Sequence, residues 1–128
     1  MHTKHILIAD DVDTAKIARI ESVAGRDPRA VLHVARSARE ALDIIGMFGE
    51  RIDAAAIDFD YIGEPYCGAD IIGALRRDNA DAAIALVTAR EGQAFDQASG
   101  QAMTAGANAA FTSADAFEGE LNHLFMAA

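Results

Sequence analysis

The chain has 128 residues, 52% of them apolar, which suits one α/β domain with its own core and leaves little for a second. With 20 acidic against 11 basic residues and a formal net charge of −9, it would repel a phosphate backbone, so nucleic-acid binding is not expected. No apolar run approaches the roughly 18 to 20 residues that span a bilayer, the amino terminus carries no charged-then-apolar signal segment, and the single cysteine, Cys67, has no intrachain partner, so a reducing, cytoplasmic setting without membrane insertion is expected.

Short apolar runs alternate with longer stretches of helical spacing. His5-Ile6-Leu7-Ile8-Ala9 predicts a first strand, and Ile17, Ile20 and Val23-Ala24 a first helix, with Asp13 as its N-cap. Ala30 to Ala35 predicts the second strand; Ser37 with Glu40 three residues on reads as a capping box opening a helix through Ala41, Leu42, Ile45 and Phe48. The third strand runs through Ala54-Ala55-Ala56-Ile57 to Asp58, followed by a loop to Gly68 and a helix over Ala69–Arg77. Ala82 to Val87 is the fourth strand, trailed by about 15 weakly helical residues ending at Gly106. Asn108 to Thr112 is the fifth, and Phe117, Leu121, Leu124 and Phe125 form the last helix. Five strand-helix units with nearly continuous apolar strands predict an α/β fold, a five-stranded parallel sheet with helices on both faces. Strand order stays open at this level. Residues 1–128 read as one domain with no output domain.

In such sheets functional groups gather beyond the carboxyl ends of the strands, near the point where strand order reverses. Asp10 and Asp11 stand at the end of the first strand, Asp58 at the end of the third with Asp60 two places on, and Thr88 at the end of the fourth. Clustered carboxylates repel, and a cation relieves that repulsion more simply than a retained proton does. A few oxygen ligands with open positions suit Mg²⁺, which keeps waters and takes a phosphate oxygen. A phosphate-handling site is therefore expected. Cys67 reads as an inert loop thiol, and His2, His5, His33 and His123 show no ligand spacing.

Ile-Ala-Asp10-Asp11, Ala-Ile57-Asp58, Val87-Thr88-Ala89 and Ala105-Gly106-Ala107 together resemble the receiver domain of response regulators, the CheY-like family, along essentially the whole chain. The resemblance implies a (βα)5 flavodoxin-like fold and a phospho-acceptor domain of two-component or phosphorelay signalling, at most slowly self-dephosphorylating rather than an enzyme. It implies Asp58 as the phosphorylated residue, and Mg²⁺ held by Asp10, Asp11, Asp58 and the main-chain carbonyl of Asp60. Thr88 would bond the phosphoryl oxygen. A histidine kinase or histidine phosphotransferase would supply the phosphate, and a downstream protein target would dock on the face of helix four, strand five and helix five.

The sequence departs from that pattern in three places. The family's lysine at the end of strand five falls on Ser113, and the only lysines are Lys4 and Lys16. The switch aromatic is matched by Ala110, with Phe111 beside it, and Gly68 lies two residues further from Asp58 than the family's glycine. Arg90, two residues after Thr88, is the candidate substitute cation, pairing with Asp60 or with phosphorylated Asp58. Ala110, Phe111 and the Ala-rich fourth helix suggest a small-sided apolar docking face. The alternatives are a pseudo-receiver, the same fold as a phosphorylation-independent interaction module, and a DxD phosphatase of the haloacid-dehalogenase type built on Asp58-Phe59-Asp60. The phosphatase wants its motif on the first strand and a longer chain. An EF-hand fails at Ile62 and Ala69, where oxygen ligands are required.

Overall fold

A computed structural model describes residues 2–114 and 117–128, and in them the strand-helix alternation is complete. The strands are β1 (Lys4–Ala9), β2 (Ala30–Ala35), β3 (Ile52–Ile57), β4 (Ala83–Thr88) and β5 (Ala109–Thr112). The helices are α1 (Thr14–Ala24), α2 (Ala38–Phe48), α3 (Gly68–Asp78), α4 (Gly92–Ala105) and α5 (Glu118–Ala127), with a short 3₁₀ turn at Gly49–Arg51 before β3. All strand pairs are parallel, in the order β2-β1-β3-β4-β5. The order reverses at β1 and β3, so the loops after these two strands frame the crevice where such sheets bind ligands.

The strands are apolar on both faces because helices cover both. On one face Leu7, Ala55, Ile57, Ile84 and Leu86 pack with Ala41 and Ile45 of α2, Ile71, Ile72 and Leu75 of α3, and Ala98 and Ala102 of α4. On the other, Ile6, Ile8, Ala54, Ala56, Ala85 and Val87 meet Ile17, Ile20 and Val23 of α1, Leu121 and Phe125 of α5, and Phe117, its N-cap. Small Ala54, Ala56 and Ala85 share this cluster with large Phe117 and Phe125, the mixture of sizes that lets a core interdigitate.

Local chemistry fixes the helix ends. The Asp13 carboxylate accepts from Lys16 N at 2.9 Å, capping α1 as expected. Ser37 Oγ accepts from Glu40 N, and both oxygens of Glu64, far along the chain, accept from Ala38 N and Arg39 N. Cys67, expected as an inert loop thiol, is the N-cap of α3, where the Asp70 carboxylate accepts from its backbone N–H at 2.8 Å. Gly106 ends α4 in the left-handed region at φ 119°, the conformation that favours glycine.

The α4–β5–α5 face differs from the sequence expectation. Ala98 and Ala102 turn inward, and the exposed positions of α4 include Gln93, Asp96, Gln97, Gln101 and Thr104. Ala110 and Phe111 pack against the two cores, one on each face of the sheet. The helix is rich in alanine because it packs closely, and its outer surface is mainly polar, with Met103 the exposed large apolar side chain. No helix among the described residues is long and apolar enough to cross a membrane.

Candidate functional site at the sheet's carboxyl edge

Parallel pairing carries the backbone one residue past the strands and there deposits the acids. Asp10 N donates to Ala35 O at 3.0 Å and Asp58 N to Ala9 O at 2.8 Å, so both residues leave the sheet with their main chains still bonded to it. Asp10 then turns the chain, its Oδ1 accepting from Val12 N and Asp13 N. One carboxylate oxygen each from Asp10, Asp11 and Asp58 lies within 4.8 Å of the others. Asp10 is 1% exposed and the Asp58 side chain 11%. Burial pushes the Asp58 carboxyl up to about 6; Lys16 opposes that shift and Asp10 adds to it.

The cation nearest these acids is one that the receiver resemblance does not point to. Lys16, the third residue of α1, is 3% exposed and bends back over the first turn. Its Nζ lies 2.5 Å from Asp10 Oδ2 and 3.2 Å from Asp58 Oδ1, and donates to Val87 O at 2.9 Å. The signal for it is present in the sequence. Lys16 shares the buried stripe of α1 with Ile17, Ile20, Val23 and Ala24, and it is the only charged residue there. A lysine on an apolar helix stripe must find a buried partner, because an unpaired ammonium is too costly to bury.

Asp10 Oδ2 is paired with the Lys16 ammonium and has no further partner among the described residues. A buried carboxylate oxygen with spare acceptor capacity, beside two further carboxylates, fits a small divalent cation. The three acids outnumber their lysine, so the site is short of positive charge by two.

The loop from β3 to α3 closes over this edge, and its two additional residues are used. Asp11 Oδ2 accepts from Ile62 N at 2.9 Å, Tyr61 OH donates to Ala9 O at 3.1 Å, and Gly63 turns the chain at φ 75° so that Glu64 reaches α2. Burial raises the Tyr61 phenol far above its ordinary value. Gly68 then returns against the Asp58 backbone. Its N–H donates to Phe59 O at 2.8 Å, and a Cβ placed there would sit 2.3 Å from Asp58 O. The glycine is required by this approach wherever the loop length places it.

Thr88 ends β4, fully buried, its Oγ1 accepting from Arg90 N at 3.2 Å. Arg90 forms a bidentate pair with Asp60, Nε to Oδ2 at 2.9 Å and the terminal nitrogen to Oδ1 at 2.7 Å, with its guanidinium over the Phe59 ring. Of the two partners expected for Arg90, the structure gives Asp60. It is a clasp between the two rim loops, while the cation at Asp58 is Lys16. Ser113, at the position of the family's lysine, donates its N–H to Thr88 O at 2.7 Å, and its carbonyl accepts from Arg19 of α1. Between β1 and β2, His5 Nδ1 and His33 Nε2 meet at 3.0 Å, a pairing that linear spacing does not show.

No family model matches the sequence, and no curated protein matches it significantly. Solved structures do match, in number. The fold is that of response-regulator receiver domains. A response regulator from Burkholderia pseudomallei, with a phosphorylated aspartic acid, a calcium ion and citrate, is 22% identical, with a TM-score of 0.75 over 94% of this chain and 66% of its own. A response regulator receiver domain protein from Clostridium thermocellum is 21% identical, with a TM-score of 0.77 over 97% of this chain and 92% of its own. A LuxR-family two-component response regulator from Aurantimonas is 23% identical, with a TM-score of 0.74 over 98% and 84%. The likeness to these structures lies in the fold, at sequence identities of 21 to 23%.

Proposed function

We propose that this chain is a response-regulator receiver that accepts a phosphoryl group on Asp58, in a two-component system or phosphorelay. The observation that carries the reading is the placement of Asp58. It is a largely buried carboxylate at the reversal point of the sheet, flanked by Asp10, Asp11 and a buried lysine. Asp10, Asp11 and Asp58, with the main-chain carbonyl of Asp60, would hold Mg²⁺, which supplies positive charge to the oxygens of the incoming phosphoryl group.

The rest is done by the chain. Asp58 presents a carboxylate oxygen that forms the new O–P bond as the P–N bond of a phosphohistidine breaks, the electron pair leaving with the imidazole nitrogen. The Thr88 hydroxyl oxygen is occupied as acceptor by Arg90 N, which leaves its proton to be donated to a phosphoryl oxygen. The donor is a histidine kinase or histidine phosphotransferase, and the signal leaves through a downstream protein.

Incubation with Mg²⁺ and phosphoramidate followed by intact-mass measurement tests this. The expected result is a phosphate-sized increase that needs Mg²⁺ and is absent in Asp58→Asn. A folded protein that forms no adduct and binds no beryllofluoride would overturn the reading in favour of a phosphorylation-independent interaction module. Ser113 in place of the family's lysine is the observation that keeps that second reading in play.

A further inference from the structure

Lys16 is committed to the acids from the moment α1 forms. Asp10 turns the chain, Asp13 caps the helix at Lys16 N, and the Lys16 ammonium returns to Asp10 and Asp58, a closed circuit within seven residues of chain plus the end of β3. The other cations near this edge are engaged elsewhere, Arg90 with Asp60 and Arg19 with Glu118 and the Ser113 carbonyl. Resting on the phospho-acceptor reading, we propose that Lys16 is the cation that binds the phosphoryl group on Asp58. Helix α1 thereby supplies the charge that Ser113 cannot.

Chemistry and placement support this together. Phosphorylation takes Asp58 from one negative charge toward roughly two. A nearly dry ammonium 3.2 Å from the reacting carboxylate is already inside the reach of an oxygen bonded to phosphorus there. In the transfer a carboxylate oxygen of Asp58 forms the O–P bond while the donor's P–N bond breaks and the nitrogen departs with its electron pair. Lys16 keeps its proton throughout and exchanges one partner, Asp58 Oδ1, for a phosphoryl oxygen, while Val87 O continues to hold it from β4. Lysine serves as a phosphate-binding point charge wherever its stem can reach, and bidentate geometry is not required.

The two positive charges of the site would then have opposite dependences on Lys16. Because the ammonium shares Asp10 and Asp58 with any metal, removing it relieves competition for the cation while it weakens the hold on the phosphoryl group. The test compares wild type with Lys16→Gln, which keeps a donor for Val87 O, Lys16→Met, and the double variant Lys16→Gln/Ser113→Lys. Thermal unfolding establishes that each is folded. Beryllofluoride binding is read by fluorine NMR at saturating Mg²⁺, adduct formation with phosphoramidate by intact mass, and Mg²⁺ affinity by tyrosine fluorescence, the chain having 2 Tyr and no Trp.

The single variants should lose beryllofluoride affinity and phosphorylation rate by about tenfold or more, the size of a charge-assisted hydrogen bond, with Mg²⁺ affinity equal to or above wild type. Ser113→Lys, beside Thr88, should restore much of the loss. Folded single variants with beryllofluoride affinity and rate unchanged would overturn the proposal, as would a parallel fall of Mg²⁺ and beryllofluoride affinity, which marks a merely structural lysine. A wild type that takes up neither phosphate nor beryllofluoride would instead overturn the acceptor reading, and this assignment with it.

Discussion

The two lysines of this chain are both buried, at opposite edges of one sheet, and their surroundings differ in charge balance. Lys4 begins β1, 2% exposed, donates to Phe125 O of α5 and lies 3.6 Å from Asp27. Asp27 is in turn held by Arg29, whose hydrogen bonds keep its carboxyl well below the usual carboxylate range. Two cations there face Asp27, and Arg29 also feels Asp53, so no surplus of negative charge is left to recruit a metal. At the far edge one cation, Lys16, faces Asp10, Asp11 and Asp58. Burial alone therefore says little about a lysine's role. A surplus of like charge around it, at the reversal point of a parallel sheet, is what separates a binding site from a staple.

The sharpest way to break this comparison is to neutralise each lysine in turn. Lys16→Met leaves two buried carboxylates facing one another, and removing one partner of a buried pair typically costs about 3 to 5 kcal/mol. Urea unfolding in a chelator should show that loss, and Mg²⁺ should recover much of it. Lys4→Met leaves Asp27 with Arg29, so the expected cost is smaller, about 1 to 3 kcal/mol, and Mg²⁺ should not recover it. Equal Mg²⁺ recovery in both variants would erase the distinction.

Asp58→Asn tests the surplus charge directly. Its folded pKa, pushed up to about 6 from 3.8, means that the folded chain holds a proton more tightly than the unfolded one. The contribution of Asp58 to stability therefore falls as pH rises from about 4 to about 6 and is flat above. Without metal, Asp58→Asn should be more stable than wild type by up to about 3 kcal/mol at pH 7.5, with the gain vanishing below about pH 4. If, in chelator, the advantage of Asp58→Asn over wild type does not grow between about pH 4 and 6, the assignment of charge to this edge is contradicted.

Two smaller effects sharpen the geometry. Gly68→Ala drives a methyl into Asp58 O and should cost about 1 to 3 kcal/mol by strain, slowing adduct formation as the Asp58 backbone shifts. Arg90→Ala removes an exposed pair between rim loops, so a change below about 1 kcal/mol in unfolding and little change in adduct rate are expected. A tenfold loss of rate in Arg90→Ala would make Arg90, rather than Lys16, the cation of the phosphoryl site.

Much of this was legible because the receiver pattern places its acids at strand ends, and strand ends are marked in sequence. Ile-Ala-Asp10-Asp11 and Ala-Ile57-Asp58 each close an apolar run, so the edge and its carboxylates could be read without coordinates. The pairing order of five similar strands could not, since each is apolar on both faces and fits any neighbour. Lys16, although its helical spacing marks it, was passed over for a different reason. The resemblance puts a cation near the end of β5, whereas the chain brings one from α1 by bending a long flexible side chain across the first turn. Glu64 was hidden likewise: the longer loop was visible as a count, but its use, capping α2 across 26 residues, depends on a three-dimensional fold-back at Gly63. Composition misled at α4, where Ala98 and Ala102, read as part of an apolar surface, pack inward.

The most direct test of the central claim uses the unaltered protein, which has two lysines and therefore two Cε signals when lysine is labelled with carbon-13. Mg²⁺ is added first and beryllofluoride second, both followed by NMR. If Lys16 holds the phosphoryl group, one signal shifts at each step, Lys16→Gln deletes it, and the Lys4 signal stays in place. Two unmoved signals while beryllofluoride binds would contradict the claim, because the phosphoryl-like group would then be held without Lys16.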